Sequence, residues 1–316
     1  MRILITGGFG FVGGRLAQHL QRTGHQLVLG SRHAALPPTW LSDAAVEKCV
    51  WNDASALADI CRGVDVVIHA AGMNAQDCDA DPVAALEFNG LATARLCAAA
   101  VRAGVKRFIY LSTAHVYASP LAGSFTEASC PRNVHPYATS HLAGESAVLR
   151  AWQRGQIEAA VLRLSNAFGA PAHKDVNCWM LLVNDLCRQV VTTQRMVLRS
   201  AGAQQRDFVT LSEVDRVISH LIDLSATQLA DGIFNIGGSW APKIIEMAEL
   251  VQTRCSVVLG FTPPIIRPDP VADDVTLELD FRIDRLIDSG FTTIRDTIAE
   301  IDSTLAFCDK EFGSCR

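Results

Sequence analysis

Three glycines near the start of the chain have the spacing of a turn that binds a diphosphate. In such a turn one glycine permits a tight bend, the next lets a pyrophosphate approach the backbone, and the third lets a helix pack closely on a strand. The helix N-terminus adds free N–H groups and the positive end of its dipole. An apolar strand pattern precedes the turn and a helical pattern follows it, so the spacing predicts a dinucleotide site rather than a plain tight turn. The residues assigned to this site are Gly7, Gly10, Phe11, Val12 and Gly13.

The segment after the second predicted strand indicates which dinucleotide binds. NAD sites usually have an Asp or Glu about 20 residues after the glycine turn, which bonds a ribose hydroxyl. This chain has Gly30-Ser31-Arg32-His33 there, without an acid. A hydroxyl and a guanidinium suit a 2′-phosphate, which a carboxylate would repel. Ser31 and Arg32 therefore favour NADP(H), while NAD(H) stays open because Arg32 has the alternative of a solvated loop charge.

Strand and helix patterns alternate through the first half of the chain. The predicted strands are Arg2–Thr6, Leu27–Leu29, Cys49–Trp51, Val64–His69, Arg107–Ser112 and Ala159–Leu164. The predicted helices are Phe11–Gln21, about Pro82–Ala103 and about Tyr137–Arg154. This alternation predicts an α/β fold of Rossmann type, with a doubly wound parallel sheet and helices on both of its faces.

The pattern becomes irregular after Ala170, where prolines become frequent. We expect residues 1–170 to form the Rossmann dinucleotide-binding domain. Residues 206–237, approximately, are added to it because Arg206–Leu211 and Ile233–Ile236 again have strand character. The remaining segments, about 171–205 and 238–316, are expected to form a smaller C-terminal α/β substrate-binding domain.

Composition excludes several classes of protein. The chain has 316 residues, of which 49% are hydrophobic, so it can bury a large core and is not a disordered chain. Its net charge is −5 and it has no basic block, which argues against nucleic-acid binding. No apolar stretch approaches 18 residues, and none of the ten cysteines forms a Cys-x-x-Cys pair. We expect a cytoplasmic protein with no membrane span and no metal site.

The chain resembles the extended short-chain dehydrogenase/reductases along nearly its whole length. This group contains nucleotide-sugar epimerases, dehydratases and 4-keto reductases. After the glycine turn, the matching segments are Asp53, His69-Ala70-Ala71-Gly72, Asn89–Thr93, Arg107–Thr113, Val116-Tyr117, Pro136–Ser140, Leu162–Gly169, Arg206–Val209, Phe234–Gly238, Arg267 and Asp280. The resemblance implies that Asp53 contacts the adenine of the cofactor, and that Ala70, Ala71 and Gly72 lie beside the cofactor.

The resemblance also implies roles in catalysis and substrate binding. Thr113 has the position of the hydroxyl that hydrogen-bonds the substrate oxygen, and Tyr137 that of the acid/base that exchanges a proton with this oxygen. Asn166, Arg206 and Arg267 have positions that commonly hold the diphosphate or nucleotide of the substrate. Relatives form dimers through a four-helix bundle, so we expect a homodimer.

One position departs from the family pattern. The family has a lysine four residues after the tyrosine, and this chain has His141. Residues i and i+4 share one face of a helix, so His141 still points toward Tyr137 and the cofactor ribose. Tyrosine has a pKa of about 10, which a nearby permanent cation lowers, whereas histidine is mostly neutral at pH 7. His141 is therefore expected to hold the ribose while supplying little positive charge.

This departure favours reduction over the other reactions of the family. Epimerases and dehydratases first oxidise an alcohol, which needs tyrosine as a base, while a reductase uses neutral tyrosine as a proton donor. Sugar 4,6-dehydratases also carry Asp-Glu where this chain has Ala114-His115. We expect an NADP(H)-linked oxidoreductase that reduces a keto group of a nucleotide sugar or another small carbonyl compound. The alternatives are a nucleotide-sugar 4-epimerase and a cofactor-binding protein with impaired or no catalysis.

Overall fold

The computed structural model describes residues 1–33, 36–269 and 277–313. The strands are β1 (Arg2–Thr6), β2 (Gln26–Ser31), β3 (Ala45–Lys48), β4 (Val66–His69), β5 (Arg107–Thr113), β6 (Gly123–Phe125), β7 (Glu158–Leu164), β8 (Asn166–Phe168), β9 (Met196–Val197), β10 (Phe208–Thr210), β11 (Ile233–Ile236), β12 (Ile265–Ile266) and β13 (Leu279–Phe281). The helices are α1 (Phe11–Arg22), α2 (Ala54–Ile60), α3 (Ala75–Ala80), α4 (Pro82–Ala85), α5 (Thr93–Ala103), α6 (Pro136–Gln153), α7 (Leu182–Thr193), α8 (Leu211–Asp223), α9 (Ile244–Val258), α10 (Asp284–Asp288) and α11 (Thr297–Phe312).

Seven strands form one parallel sheet in the order β11-β7-β5-β4-β1-β2-β3. Alternate residues of β1 enter two different cores. Ile3 and Ile5 pack with the apolar faces of α1 and α8, while Leu4 packs with α2, α5 and α6 on the opposite side. Helices therefore cover both faces of the sheet. This confirms the predicted Rossmann-type α/β fold.

The order of the strands reverses between β1 and β4, and this reversal positions the site. From β1 the chain runs outward through β2 and β3, then crosses back to place β4 on the other side of β1. Thr6 and His69 are paired at the carboxyl ends of these two strands. A crevice forms at such a reversal, and ligands of open α/β sheets bind there.

Several predicted elements differ from the observed ones. The third strand is Ala45–Lys48 rather than Cys49–Trp51, because the apolar residues Cys49 to Trp51 belong to the connection that leads into α2. The predicted helix Pro82–Ala103 contains a π-helical segment, Leu86–Ala92, between α4 and α5. Phe208–Thr210 pairs with β8 in a two-stranded sheet outside the main one, whereas Ile233–Ile236 joins the main sheet at its edge.

The C-terminal part of the chain has its own apolar core. Helices α7, α9 and α11 pack together around buried side chains that include Leu186, Met247 and Leu305. The short pair β9 and β12 lies beside them. Helix α8 instead packs against α1 in the first core. The domain limits themselves stay a prediction.

The part of the chain that the structure describes has neither a membrane-spanning helix nor a cluster of metal ligands. No helix among them combines the length and the apolar character that crossing a bilayer requires. No group of three or more His, Cys, Asp or Glu side chains in residues 1–33, 36–269 and 277–313 is arranged to hold a metal ion. The cytoplasmic location stays a prediction from the sequence.

Candidate active site

The glycine turn joins β1 to α1 with almost no free space around its backbone. Gly7 has φ +73°, and a Cβ there would lie 2.7 Å from the backbone of Ala70 and Ala71. A Cβ on Gly13 would lie 2.3 Å from the Gly7 carbonyl oxygen. Glycine is therefore required at both positions, for a left-handed bend and for close packing of α1. Gly10 is the residue before the first turn of α1. It has no side chain that could accept a hydrogen bond from the N–H groups of that turn.

A cavity of about 660 Å³ opens beside this turn, at the reversal of strand order. Its wall contains the carboxyl ends of β1, β2 and β4 and the start of α6. Of the expected cofactor-binding residues, those on this wall are Gly7, Gly10, Phe11, Val12, Gly13, Ser31, Arg32, Ala70, Ala71, Gly72, Tyr137 and His141. The glycine cradle and the free first turn of α1 fit a dinucleotide diphosphate.

Asp53 is the one expected cofactor-binding residue that does not line this cavity. Its carboxylate accepts hydrogen bonds from the backbone N–H groups of Ser55 at 2.9 Å and Ala56 at 3.0 Å. These bonds cap the N-terminus of α2, and the expected contact of Asp53 with adenine stays a prediction. Trp51 lies on the wall of the cavity instead.

The end of β2 contributes the groups that were expected to select the cofactor. Ser31 is half-buried and Arg32 is exposed, and both lie on the cavity wall. Arg32 also borders a second cavity of about 550 Å³, together with Trp51 and Arg95. Arg95 donates a hydrogen bond to Asn52 Oδ1 at 2.6 Å. Two guanidinium groups therefore border the space beyond the end of β2.

Tyr137 and Thr113 are brought together although they lie on different elements. Thr113 ends β5 and is buried, while Tyr137 opens α6 and is half-buried. Burial raises the pKa of Tyr137, and a hydrogen bond with the Thr113 side chain partly opposes the rise. The imidazole of His135 caps α6 by accepting from the Tyr137 N–H at 3.1 Å. The phenol is thus held beside Thr113 in its protonated form at neutral pH.

His141 follows one turn after Tyr137 and packs against it. The two rings meet edge to face with centroids 4.8 Å apart. His141 is 5% exposed, and burial lowers its pKa to about 4. A neutral imidazole therefore occupies the position where the family has a lysine. The prediction that this residue supplies little positive charge agrees with the direction of this shift.

Tyr110 is a site residue to which the sequence analysis gave no role. Its hydroxyl lies 2.8 Å from His141 Nδ1, and its ring stacks on that of His141 with centroids 5.9 Å apart. The other face of Tyr110 stacks on His69 at 5.5 Å. Tyr110 is a buried, apolar-looking member of strand β5, and nothing in the pattern of the strand distinguishes it from core.

A second buried polar group lies one further turn along α6. Glu145 forms a two-pronged ion pair with Arg163 of β7, in which Arg163 Nη2 lies 2.7 Å from Glu145 Oε2. Ser112 donates to the same carboxylate. Arg163 also donates to the Tyr117 hydroxyl at 2.9 Å, and that hydroxyl donates to Asn235 at 2.7 Å. This network ties α6, β7 and β11 together.

The expected substrate-binding residues lie apart from the wall that carries the cofactor residues. In the described chain, neither Asn166, Arg206 nor Arg267 is on the wall of the 660 Å³ cavity. Asn166 donates to the Asp207 carbonyl at 2.9 Å, and Arg267 is exposed and donates to the Ala201 carbonyl. Arg206 lies near enough to His115 to lower its pKa, after the larger effect of burial. The substrate roles of these three residues stay predictions.

The fold and the cavity define a dinucleotide-binding α/β protein with a tyrosine at the cofactor wall. The chain belongs to the NAD dependent epimerase/dehydratase family, whose model matches residues 3–237.

Curated relatives match different shares of the chain. The dTDP-6-deoxy-L-talose 4-dehydrogenase (NAD(P)(+)) of Kitasatospora kifunensis is 30% identical over 315 residues, 95% of this chain and 94% of that protein. The dTDP-D-glucose 4,6-dehydratase of Mus musculus is 29% identical over 197 residues, 60% of this chain and 52% of that protein. The match thus spans about half the length of the dehydratases of this kind.

Solved structures share the fold. The UDP-N-acetylglucosamine 4-epimerase of Methanobrevibacter ruminantium M1, in complex with UDP-N-acetylmuramic acid, superposes with a TM-score of 0.82 at 20% identity. The match covers 98% of this chain and 99% of that one. The UDP-glucuronic acid 4-epimerase of Bacillus cereus has a TM-score of 0.78 at 19% identity and covers 99% and 100% of the two chains.

Proposed function

We propose that this protein is an NADP(H)-linked oxidoreductase that reduces a keto group of a nucleotide sugar. The observation that carries the proposal is the packing of the buried His141 against Tyr137 on the wall of the cavity, where burial lowers the pKa of His141 and raises that of Tyr137. The relative from Kitasatospora kifunensis, a dTDP-sugar 4-dehydrogenase that uses NAD or NADP, supports the substrate class and the type of reaction.

The roles of the residues follow from their protonation. A reduced nicotinamide cofactor, held by the glycine turn and His141, would supply the hydride for the carbonyl carbon. Tyr137 gives its phenolic proton to the carbonyl oxygen, so ketone, hydride and proton become an alcohol. Thr113 orients that oxygen through its hydroxyl, and His141 holds the ribose of the cofactor. Because Tyr137 carries its proton at pH 7, it is ready for reduction and is a poor base for oxidation.

The cofactor preference rests on the end of β2. Ser31 and Arg32 offer a hydroxyl and a guanidinium to a 2′-phosphate, and Arg95 adds a second guanidinium at the neighbouring cavity. The family description, NAD dependent, and the relative that uses either cofactor keep NAD(H) as the second candidate.

The first alternative is a nucleotide-sugar 4-epimerase. A 4-epimerase oxidises and then reduces its substrate without releasing the cofactor, so it needs Tyr137 as a base in its first step. The raised pKa of Tyr137 makes that step the harder one. A protein that binds cofactor without turnover is the remaining alternative.

Steady-state NADPH oxidation with a panel of 4-keto dTDP- and UDP-sugars tests the proposal. We expect turnover with one of these and a larger thermal stabilisation by NADPH than by NADH. Interconversion of epimers at unchanged cofactor absorbance identifies an epimerase. Tight NADPH binding without turnover on any substrate contradicts the enzyme proposal.

We also propose a homodimer, built on the helical run from α4 to α5. Val83, Leu86 and Leu91 on this run are 70%, 53% and 46% exposed, which is unusual for three neighbouring large apolar side chains. A second copy of the chain would cover them. Light scattering is expected to give twice the chain mass, and Leu86→Glu is expected to reduce it to one chain.

A further inference from the structure

We infer that Tyr110 is a positioning residue that fixes the tautomer of His141, so that the imidazole presents Nε2–H to the cofactor ribose. The inference rests on the proposed function for the identity of the ligand. The assignment of the tautomer, by contrast, rests on contacts inside the protein.

Besides the Thr93 hydroxyl, which contributes to its pKa, the Tyr110 hydroxyl has two acceptors within hydrogen-bond distance and donates to the nearer of these two. His141 Nδ1 lies 2.8 Å from it and the Asn89 carbonyl oxygen lies 3.4 Å away. The Asn89 oxygen already accepts from the Thr93 hydroxyl at 2.6 Å. A phenol is a good donor and an unprotonated imidazole nitrogen is a good acceptor. The proton on Tyr110 therefore points to Nδ1, and the proton of the neutral ring of His141 lies on Nε2.

The direction of the hydrogen bonds around Thr93 and His69 is also fixed. Thr93 spends its single hydroxyl proton on the Asn89 carbonyl, so it accepts from His69 Nε2 at 2.8 Å. His69 Nδ1 then accepts from the Thr6 hydroxyl at 2.6 Å. Burial lowers the pKa of His69 to about 3, which keeps this ring neutral as well. Thr93 therefore has no second hydroxyl proton to give to Tyr110, and the Tyr110 proton remains the donor in the contact with His141.

The edge of His141 opposite Tyr110 faces the cofactor cavity. A Cβ added to Gly72 would lie 3.7 Å from Cε1 and 3.8 Å from Nε2 of His141, and both residues are on the cavity wall. The Nε2–H therefore points along the wall that carries Gly72 and Tyr137. A single N–H donor there bonds one ribose hydroxyl, where lysine would offer three donors and a charge.

A glycine on α6 lets Tyr110 come close enough to do this. A Cβ on Gly144 would lie 2.7 Å from the Tyr110 hydroxyl oxygen and 2.8 Å from the Asn89 carbonyl oxygen. Any larger residue at this position would displace the hydroxyl from His141. The contact thus depends on the close packing of α6 against β5 and against the π-helical segment Leu86–Ala92.

Nitrogen-15 NMR of the cofactor-free protein tests the tautomer directly. The His141 signals are identified by their loss in His141→Lys, since the chain has nine histidines. We expect an unprotonated Nδ1 and a protonated Nε2 at pH 7 in the wild type, and a mixture of tautomers in Tyr110→Phe. A protonated Nδ1 in the wild type overturns the inference, whether or not the protein binds NADPH.

Cofactor affinity tests the consequence. Tyr110→Phe is expected to weaken NADPH binding about 5- to 10-fold, the change that the loss of one hydrogen bond produces. The matched control is Tyr117→Phe, which removes a hydroxyl from an equally buried tyrosine, 1% exposed in both cases. We expect less than about a twofold change in this control. An equal loss in both variants contradicts a specific role of Tyr110.

A double-mutant cycle separates this role from a structural one. Lysine has no tautomers, so in the His141→Lys background the change Tyr110→Phe should alter the NADPH dissociation constant less than about twofold. The same 5- to 10-fold loss in both backgrounds, on the scale of one hydrogen bond, overturns the inference. If the wild type binds no NADPH at all, the proposed function fails, and the NMR measurement still decides the tautomer.

Discussion

Two buried polar networks lie one turn apart on helix α6. They accommodate a buried titratable side chain in different ways. At Glu145 the helix keeps a full charge, which Arg163 and Ser112 compensate with hydrogen bonds. At His141 the helix has no ion, and burial holds the ring neutral against a phenol. A buried charge is tolerated only when it is paired, so an unpaired titratable ring gives up its proton.

The charged network, unlike the pair of Tyr137 and His141, contains a contact between a tyrosine and a cation. Arg163 lies over the Tyr117 ring, 4.8 Å from its centroid, and donates to its hydroxyl. Tyr117 is fully buried and belongs to the network that ties strands together. Tyr137, on the cofactor wall, faces the neutral His141 instead. The charged network therefore stabilises the fold, and the neutral one sets the protonation of the site.

Tyr137→Phe is expected to give the largest effect, confined to the neutral network. Removing the proton donor should lower kcat for keto-sugar reduction by about 10²- to 10⁴-fold, the usual contribution of a general acid. Melting temperature and NADPH affinity should hardly change. Tyr117→Phe is the control, with the opposite pattern of lower stability and retained kcat. A Tyr137→Phe enzyme with near wild-type kcat would remove Tyr137 from the mechanism.

Glu145→Gln breaks the charged network. It leaves Arg163 buried and without its carboxylate, which should lower the free energy of unfolding by about 3–5 kcal/mol. Urea denaturation measures this loss. Glu158→Gln is the matched control, since Glu158 pairs with Arg107 but is 21% exposed, and its effect should be smaller. Equal losses in the two variants would show that burial of the pair does not matter.

The neutral network predicts a pH dependence of stability. The pKa of His141 is about 4 in the folded protein, below the ordinary value of 6.5, so both states are neutral at pH 7. Between pH 6.5 and 4 the unfolded chain binds a proton that the folded chain does not. Stability is therefore lost as the pH falls through this window, by about 2 kcal/mol at pH 5.

The contribution of His141 to this pH dependence is isolated by comparing the unfolding free energy of two proteins. Asp215 has the opposite sign, because burial raises its pKa to about 8 and stability returns as the pH falls. Comparing the wild type with His141→Gln at pH 7 and pH 5 cancels such groups. The wild type should lose about 2 kcal/mol relative to the variant. Parallel pH profiles of unfolding free energy would mean that the pKa of His141 is not lowered in the folded protein.

Arg32→Ala is expected to give the smallest effect, outside both networks. Arg32 is exposed at the end of β2, so the loss of one charge-assisted hydrogen bond should weaken NADPH binding about 10-fold while NADH binding is nearly unchanged. Isothermal titration with both cofactors measures the ratio. Arg22→Ala, another exposed arginine near the N-terminal segment, serves as the control. Equal weakening of NADH and NADPH would contradict a contact with the 2′-phosphate.

The sequence predicts the wall of the cavity much better than the layer behind it. Gly7 and Gly13 carry a spacing that only a strand–turn–helix unit explains, so their place follows from local pattern. The cap that Asp53 makes at the N-terminus of α2 was not foreseen, because α2 itself was not predicted. Tyr110 and His69 make their contacts across strands and through a π-helical segment, and these distances have no signature in a single sequence.

The central claim is that a neutral His141 leaves Tyr137 protonated, and tyrosinate absorbance at 295 nm tests it without any substrate. The chain has only three tyrosines, and burial raises the pKa of each of them. At pH 9 the folded wild type should show less than about one-tenth of each tyrosine ionised, and His141→Lys should gain close to one tyrosinate. One tyrosinate that titrates below pH 9 in the wild type would contradict the account.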